Sequence, residues 1–184
     1  MKRIGTGLLV LILASCASGR IDVDDIPKFY LNPPVAKDSI FGVGDAQMSS
    51  LDMSKRMALS RAHDDVARQI EVSIRSAITD YAQEAGEGNN NQAIQFAETV
   101  SRQVVEVTLR GVKQVEAHIG RRGRYYVLVE YSLDELLAEA EAAFERNEAA
   151  AFSEFKAGRA LEHLDEEFAN NPPRAGQPRA GESQ

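Results

Sequence analysis

The N-terminal segment constrains the fold most. It holds the only cysteine of the chain, and it determines which residues are absent from the folded domain. Lys2 and Arg3 precede a mainly apolar run, Ile4 to Ala14. A membrane-spanning helix needs about 20 apolar residues, so this shorter run has instead the form of a signal peptide. We therefore expect residues 1–15 to be cleaved off and to take no part in the fold.

The segment ends in Leu13-Ala14-Ser15-Cys16, which has the pattern of a bacterial lipobox. We predict cleavage between Ser15 and Cys16, a diacylglycerol on the Cys16 thiol, and an acyl chain such as palmitate on the new amino group. Two or three chains hold a protein on its membrane, at about 0.8 kcal/mol per buried methylene. An Asp directly after the lipidated cysteine would retain a lipoprotein at the inner membrane. Here Ala17 and Ser18 follow Cys16, so we predict that the protein is located at the outer membrane. A secretory signal with an accidental cysteine is the alternative.

Once Cys16 carries lipid, no thiol is left for a disulfide, a metal site or a nucleophile. Residues 16–184 have the length of one ordinary domain. The formal net charge of the chain is −7, and loss of Lys2 and Arg3 with the signal makes the mature protein more acidic. This balance argues against a nucleic-acid partner. The fold must depend on its apolar core.

The sequence predicts a polar segment on each side of one domain. Residues 16–37 are rich in proline and are expected to form a lipidated tether. The alternative is an apolar clip made by Ile26, Phe29, Tyr30 and Leu31. The domain is expected over residues 38–169. Residues 170–184 repeat Pro-Arg-Ala-Gly and are expected to be disordered.

Hydrophobic periodicity predicts one strand followed by two helices. The strand is Ser39 to Ala46. The first helix ends near Gly86, and the second ends before Gly111. Residues 71–81 also alternate, so a strand remains an alternative there. The expected apolar faces are Met57, Ala62, Val66, Ile70, Ile74, Ile78 and Tyr81 on the first helix, and Ile94, Ala97, Val100, Val104 and Val107 on the second.

A β-hairpin and a further helix are expected next. The strands of the hairpin are Val112–Ile119 and Arg124–Tyr131, joined across Gly120–Gly123. The capping box Ser132–Glu135 then starts a helix expected to continue to Phe168. That helix either folds back on the domain or projects from it and dimerises.

Several blocks of the chain occur in a familiar order. They are Ile26–Pro34, Phe41–Ala46, Ala58–Gln69, Ser101–Gly111, Tyr126–Tyr131 and Lys156–Phe168. In content and order they resemble the LPP-twenty family of bacterial lipoproteins. Phe29 departs from the Trp that relatives often carry, and the acidic start at Leu133–Leu137 departs from a common proline.

The resemblance implies an α+β domain of the strand-helix-strand-strand type. A small curved antiparallel sheet would pack against a long helix, as in the flagellar lipoprotein FlgP and the N-terminal domain of FlgT, with a long C-terminal helix added. It carries over no catalytic residue, so we expect a protein that is not an enzyme.

Local clusters supply few candidates for chemistry. Gly42-Val43-Gly44 lacks the third glycine and the parallel unit of a dinucleotide site, so a glycine-shaped strand end is the better interpretation. The three histidines, His63, His118 and His163, lack metal-ligand spacing, so no metal is expected. Asp64 and Asp65 are expected on a solvated helix face.

The sharpest candidate is a basic cluster at the hairpin, Arg121, Arg122 and Arg124, with Arg110 and Lys113 as potential neighbours. Guanidinium groups bind phosphate or carboxylate, so these residues are candidates for binding an anion or a protein partner.

We therefore predict a lipid-anchored outer-membrane protein with a structural or protein-interaction role, facing the periplasm or the cell surface. Envelope proteins or a second copy would be its partners, and it would need no cofactor beyond the lipid on Cys16. The alternatives are a binding module for lipopolysaccharide or peptidoglycan, and a flagellum-associated envelope component.

Overall fold

A computed structural model describes residues 25–86 and 91–176 of the chain. The signal peptide, the lipobox with Cys16, and residues 177–184 lie outside the described residues, so the predictions made for them stay predictions. The described elements are α1 (Lys28–Leu31), β1 (Ser39–Ala46), α2 (Leu51–Glu84), α3 (Asn91–Gly111), β2 (Lys113–Ile119), β3 (Tyr125–Ser132), α4 (Leu133–Asn147) and α5 (Ala157–Asn170).

The three strands form one antiparallel sheet in the order β1-β3-β2. β3 is central, and its Val127 is opposite Gly44 on β1 and Ala117 on β2. The β2 register shifts between Gln114 and Glu116, which marks a β-bulge. Together with the long helix α2 after β1, this arrangement confirms the predicted α+β class. A second helix, α3, lies between α2 and β2.

Helix α2 is continuous through residues 71–81, so the helical alternative is confirmed and the strand alternative is wrong. Its N-cap is Ser50, whose hydroxyl accepts the Met53 N–H at 3.2 Å. The predicted apolar face is buried from Ala62 to Tyr81, but Met57 at its start is 40% exposed. Helix α2 packs on β1, β3, α3 and α5. Ala58 and Ala62 lie against β1, and Tyr81 near the end of α2 stacks on His163 of α5.

Two glycines let β1 approach the backbone of α2. A Cβ on Gly42 would lie 2.5 Å from the carbonyl oxygen of Ala62, and one on Gly44 would lie 2.6 Å from the Ala62 nitrogen. Both glycines are inside β1 rather than at its end, so the interpretation as a strand end is wrong. Their role is close packing of strand on helix.

The predicted face of α3 is partly wrong. Ala97, Val100 and Val104 are buried as expected, but Ile94 is 57% exposed and Val107 is 37% exposed. Their places in the core are taken by Ala93, Phe96, Ser101 and Thr108. Burial follows the contacts with α2 and α4, which periodicity alone does not specify.

The single helix predicted from Leu133 to Phe168 is two helices. Between α4 and α5 the chain turns inward, and Phe152 and Phe155 are each only 2% exposed. The Tyr81 hydroxyl holds this turn: it donates to the Glu154 carbonyl at 2.6 Å and accepts the Lys156 N–H at 3.0 Å. Burial of two aromatic rings outweighs continued helix here. Both helices fold back on α2 and α3, as the first alternative predicted.

The face of the sheet opposite α2 is covered by both ends of the described chain. Phe29 of α1 is buried with Val43, Tyr126 and Leu128, and Ile26, Tyr30 and Ala175 pack against them. The apolar clip is therefore confirmed for this part of residues 16–37, except that Leu31 is 48% exposed. Residues 170–176 are expected from the sequence to be disordered, but Asn170 ends α5, Ala175 packs on this cluster, and the Gly176 N–H donates to the Asp65 carboxylate at 2.7 Å.

Candidate functional site

The outer edge of β1 is closed by side chains of α2. The Gln69 amide donates to the Phe41 carbonyl at 2.8 Å, and the Asp65 carboxylate accepts the Val43 N–H at 3.1 Å. Two residues further along β1, the Asp45 carbonyl accepts from the Arg61 guanidinium at 2.6 Å. We call Arg61, Asp65 and Gln69 the α2 ladder. It satisfies backbone groups that would otherwise be open to another strand.

The α2 ladder works because the helix and the strand have similar axial spacing. Four helical residues rise about 6 Å, and two strand residues rise about 6.8 Å. Arg61, Asp65 and Gln69 are each four residues apart, and their targets on β1 are two apart. The donors and the acceptor therefore stay in step over three contacts.

Asp65 is the most deeply placed charged group of this edge, at 4% exposure. Besides the Val43 N–H, it accepts the Gly176 N–H at 2.7 Å and contacts the Arg68 guanidinium. Burial raises the pKa of Asp65, while the two N–H groups and Arg68 oppose that rise. The prediction of a solvated Asp64-Asp65 pair is therefore wrong for Asp65, because α2 aims it at β1. Asp64 is exposed as expected.

A second polar contact joins α1 to the hairpin. The Tyr30 hydroxyl donates to the Asp45 carboxylate at 2.7 Å, and Arg124 forms an ion pair with the same carboxylate. The Tyr30 ring meets Tyr126 edge-on at 5.2 Å between ring centres. Burial raises the pKa of Tyr30, and the hydrogen bond to Asp45 raises it further. Arg124 thus neutralises a carboxylate of its own chain.

The predicted basic cluster is only partly assembled. Arg121 and Arg122 are exposed at the hairpin turn, whereas Arg124 is directed to Asp45. The Arg121 N–H donates to the Asp25 carboxylate at 2.6 Å. Arg122 has φ of 61°, a left-handed conformation that costs a residue with a Cβ about 1–2 kcal/mol.

The two other basic residues do not join this cluster. Lys113 is at the opposite end of β2, about 20 Å away at the rise of a strand. Arg110 is at the end of α3 and pairs with Glu106 at 3.2 Å. Of the five basic residues, Arg121 and Arg122 are the two that are exposed at the hairpin turn.

The three histidines lie on three different elements. His163 of α5 stacks on Tyr81 at 5.2 Å, and its Nε2 is 3.4 Å from Glu84. His118 of β2 is beside Tyr126, and His63 is on α2. Within the described ranges, no three His, Asp or Glu side chains are grouped so that they could hold a metal ion.

The α2 ladder was missed by sequence reasoning, although a signal for it exists. Polar residues four apart run alongside the buried residues Ala58, Ala62 and Val66. Such a flank is usually solvated, and only the two glycines of β1 indicate that a strand approaches it closely.

The fold is an α+β domain whose long helix closes one edge of a small antiparallel sheet. Residues 27–132, from α1 to the end of β3, match the model of the LPP20 lipoprotein family, so the chain belongs to that family. This confirms the resemblance to the LPP-twenty family. The family is one of envelope lipoproteins and is not known as an enzyme family.

Searches of curated proteins and of solved structures returned no match. Helices α4 and α5 lie beyond the matched region. In the part of the chain that the structure describes, no helix combines the length and the hydropathy needed to cross a membrane.

Proposed function

We propose that this protein is an outer-membrane lipoprotein, anchored by lipid on Cys16, with a structural or protein-interaction role in the envelope. The observation that carries the proposal is the family match, which starts eleven residues after the lipobox cysteine. Ala17 and Ser18 support the outer membrane as the destination.

The attachment of the N-terminal region to the hairpin gives the proposal a geometry. Asp25 contacts the backbone of Arg121, so residue 25 lies at the hairpin turn. Nine residues separate it from Cys16 and span at most about 30 Å. Once Cys16 is in the membrane, the hairpin turn would be kept within that distance of the lipid surface.

The anchor is tested by Cys16→Ala in the full-length protein. We expect this variant to move from the membrane fraction to the soluble periplasm and to lose incorporation of labelled palmitate. The matched control is Ala17→Asp, which keeps the cysteine and should stay lipidated but move to the inner membrane in a density gradient. Unchanged membrane association of Cys16→Ala would overturn the proposal.

A lipid-tethered module for anionic envelope components is the second candidate. The observation that favours it is the left-handed Arg122, because a strained exposed arginine occupies a place where glycine would fit more easily. We would replace Arg121 and Arg122 by Gln and keep Arg124, which holds Asp45. Loss of lipopolysaccharide or peptidoglycan binding alone would favour the module, and loss of a co-purifying protein would favour the interaction role.

In-cell crosslinking followed by mass spectrometry separates the remaining roles. Crosslinks to basal-body proteins would favour a flagellum-associated component. Crosslinks to other envelope proteins would favour a general structural role.

A further inference from the structure

Strand β2 forms the second edge of the sheet, and it differs from β1. All seven of its residues are exposed. Its apolar residues are among them, with Val115 at 52% and Ile119 at 54% exposure. Helix α2 packs across β1 and β3, so β2 extends beyond the cover that the described helices provide.

Strand alternation shows which backbone groups of β2 point outward. On β1, Val43 directs its N–H away from the sheet, so Gly44 and its partner Val127 bond to each other. Val127 therefore faces β1, and its other partner, Ala117, directs its N–H and C=O to the open side. The same holds for Ile119, two residues on.

We propose that two copies of this protein pair antiparallel through β2, about a two-fold axis at Ala117, to form a six-stranded sheet. The two Ala117 residues would exchange their outward N–H···O=C bonds. Glu116 of each copy would then be opposite His118 of the other, and Val115 would be opposite Ile119. The geometry of the edge carries this inference; its first test, in membranes, also rests on the proposed lipid anchor, whereas its second test does not.

This register is favoured because its cross-strand pairs are complementary on both faces of the sheet. A carboxylate meets an imidazole N–H on one face, and apolar side chains meet on the other. The small Ala117 side chain lets the two strands approach at the axis.

Neighbouring registers lack this match. An axis at Glu116 would place two carboxylates opposite each other, which is destabilising. An axis at His118 would place Val115 opposite Arg121, in the turn and outside β2. The β-bulge at Gln114–Glu116 ends the regular edge, so pairing would be confined to residues 115–119.

A short pairing of this kind gives weak association between molecules in solution. Proteins confined to one membrane surface meet at much higher effective concentration, so the same contact would be populated there.

The first test is Ala117→Cys in the full-length lipoprotein, oxidised in isolated membranes. A hydrogen-bonded antiparallel pair has a Cα···Cα distance of about 5.5 Å, which suits a disulfide. We expect a reducible homodimer on a gel. Gln114→Cys is the matched control on the same strand, because the proposed register separates its two copies by about 20 Å. Equal crosslinking of both variants, or none of Ala117→Cys, would overturn the register.

The second test does not depend on a new cysteine. Glu116→Lys should weaken self-association of the detergent-solubilised full chain about tenfold in sedimentation velocity, because two equivalent pairs lose their match. Adding His118→Glu to it should restore the dimer. Failure of this double variant to recover, with circular dichroism unchanged, would contradict the proposal. Crosslinking of Ala117→Cys to a different protein would assign the edge to that partner's strand instead.

Discussion

The two edges of the sheet show how the same backbone chemistry can be closed or left open. β1 is followed in the chain by α2, which folds back and places the α2 ladder along the strand. β2 is followed only by a tight hairpin, so no helix of its own comes back over it. The order of elements in the chain therefore decides which edge of the sheet is covered. The uncovered edge, β2, is the one that can pair with a strand of a second molecule.

The largest expected effect comes from the close packing that holds β1 against α2. Gly44→Ala should lower the free energy of unfolding by about 3 kcal/mol, because its methyl group would overlap the backbone of Ala58 and Ala62. Ala117→Val adds two methyl groups on exposed β2 and should change stability by less than about 0.5 kcal/mol. Urea denaturation of dilute protein measures both, and equal losses would remove the contrast between the edges.

The next effect tests the buried carboxylate of the ladder. Asp65→Ala leaves the buried Val43 N–H without its acceptor, which should cost about 2 kcal/mol, whereas the exposed Gly176 N–H can bond to water instead. Asp65→Asn keeps one carbonyl oxygen for them and should lose less. Glu116→Ala is the matched carboxylate deletion on β2 and should be nearly neutral. If Asp65→Ala were as mild as Glu116→Ala, the ladder would not be stabilising.

A smaller effect is expected at the other end of the ladder. Gln69→Ala removes the donor to the Phe41 carbonyl and should cost about 1 kcal/mol in thermal or urea unfolding. Gln114→Ala removes the same side chain from β2 and serves as the control. A loss of similar size in both variants would mean that the amide acts without regard to the edge it occupies.

The smallest expected effect is a change in the free energy of unfolding with pH, which tests the buried carboxylate at the closed edge of β1. Burial raises the pKa of Asp65 above the ordinary value of about 3.9, so the folded state holds that proton more tightly than the unfolded state. The stabilisation that comes from protonated Asp65 is complete below the pKa of this residue in the unfolded state. It is lost as the pH rises through its pKa in the folded state. Relative to Asp65→Asn, the original chain should therefore lose stability on that rise. A flat difference between the two curves, or one of opposite slope, would contradict this assignment.

Much of the fold was predictable because it depends on local patterns. The stripe from Ala62 to Tyr81, the hairpin and the Ser132 cap each follow from periodicity or spacing within a few residues. The apolar clip was only an alternative at the level of sequence, because burial of Phe29 depends on Tyr126 and Leu128, about a hundred residues away.

The candidate site was less predictable. Arg124 looked like part of an anion site, and only the folded chain shows that it pairs with Asp45. Asp65 looked solvated, and the helix phase relative to β1 decides that it is buried. Pairwise contacts between distant residues carry no local signal.

By itself, the sequence predicted the apolar stripe of α2, the hairpin and the lipobox pattern, because each rests on residues close together in the chain, and it indicated the α+β class and the family through the order of its blocks. The tertiary structure alone decided the turn at Phe152 and Phe155, the return of residues 171–176, and which edge of the sheet is closed. Those outcomes depend on how helices and strands align in space. Four residues of α2 rise about 6 Å and two residues of β1 rise about 6.8 Å, and this similar spacing lets the three polar residues of the α2 ladder reach the edge of β1.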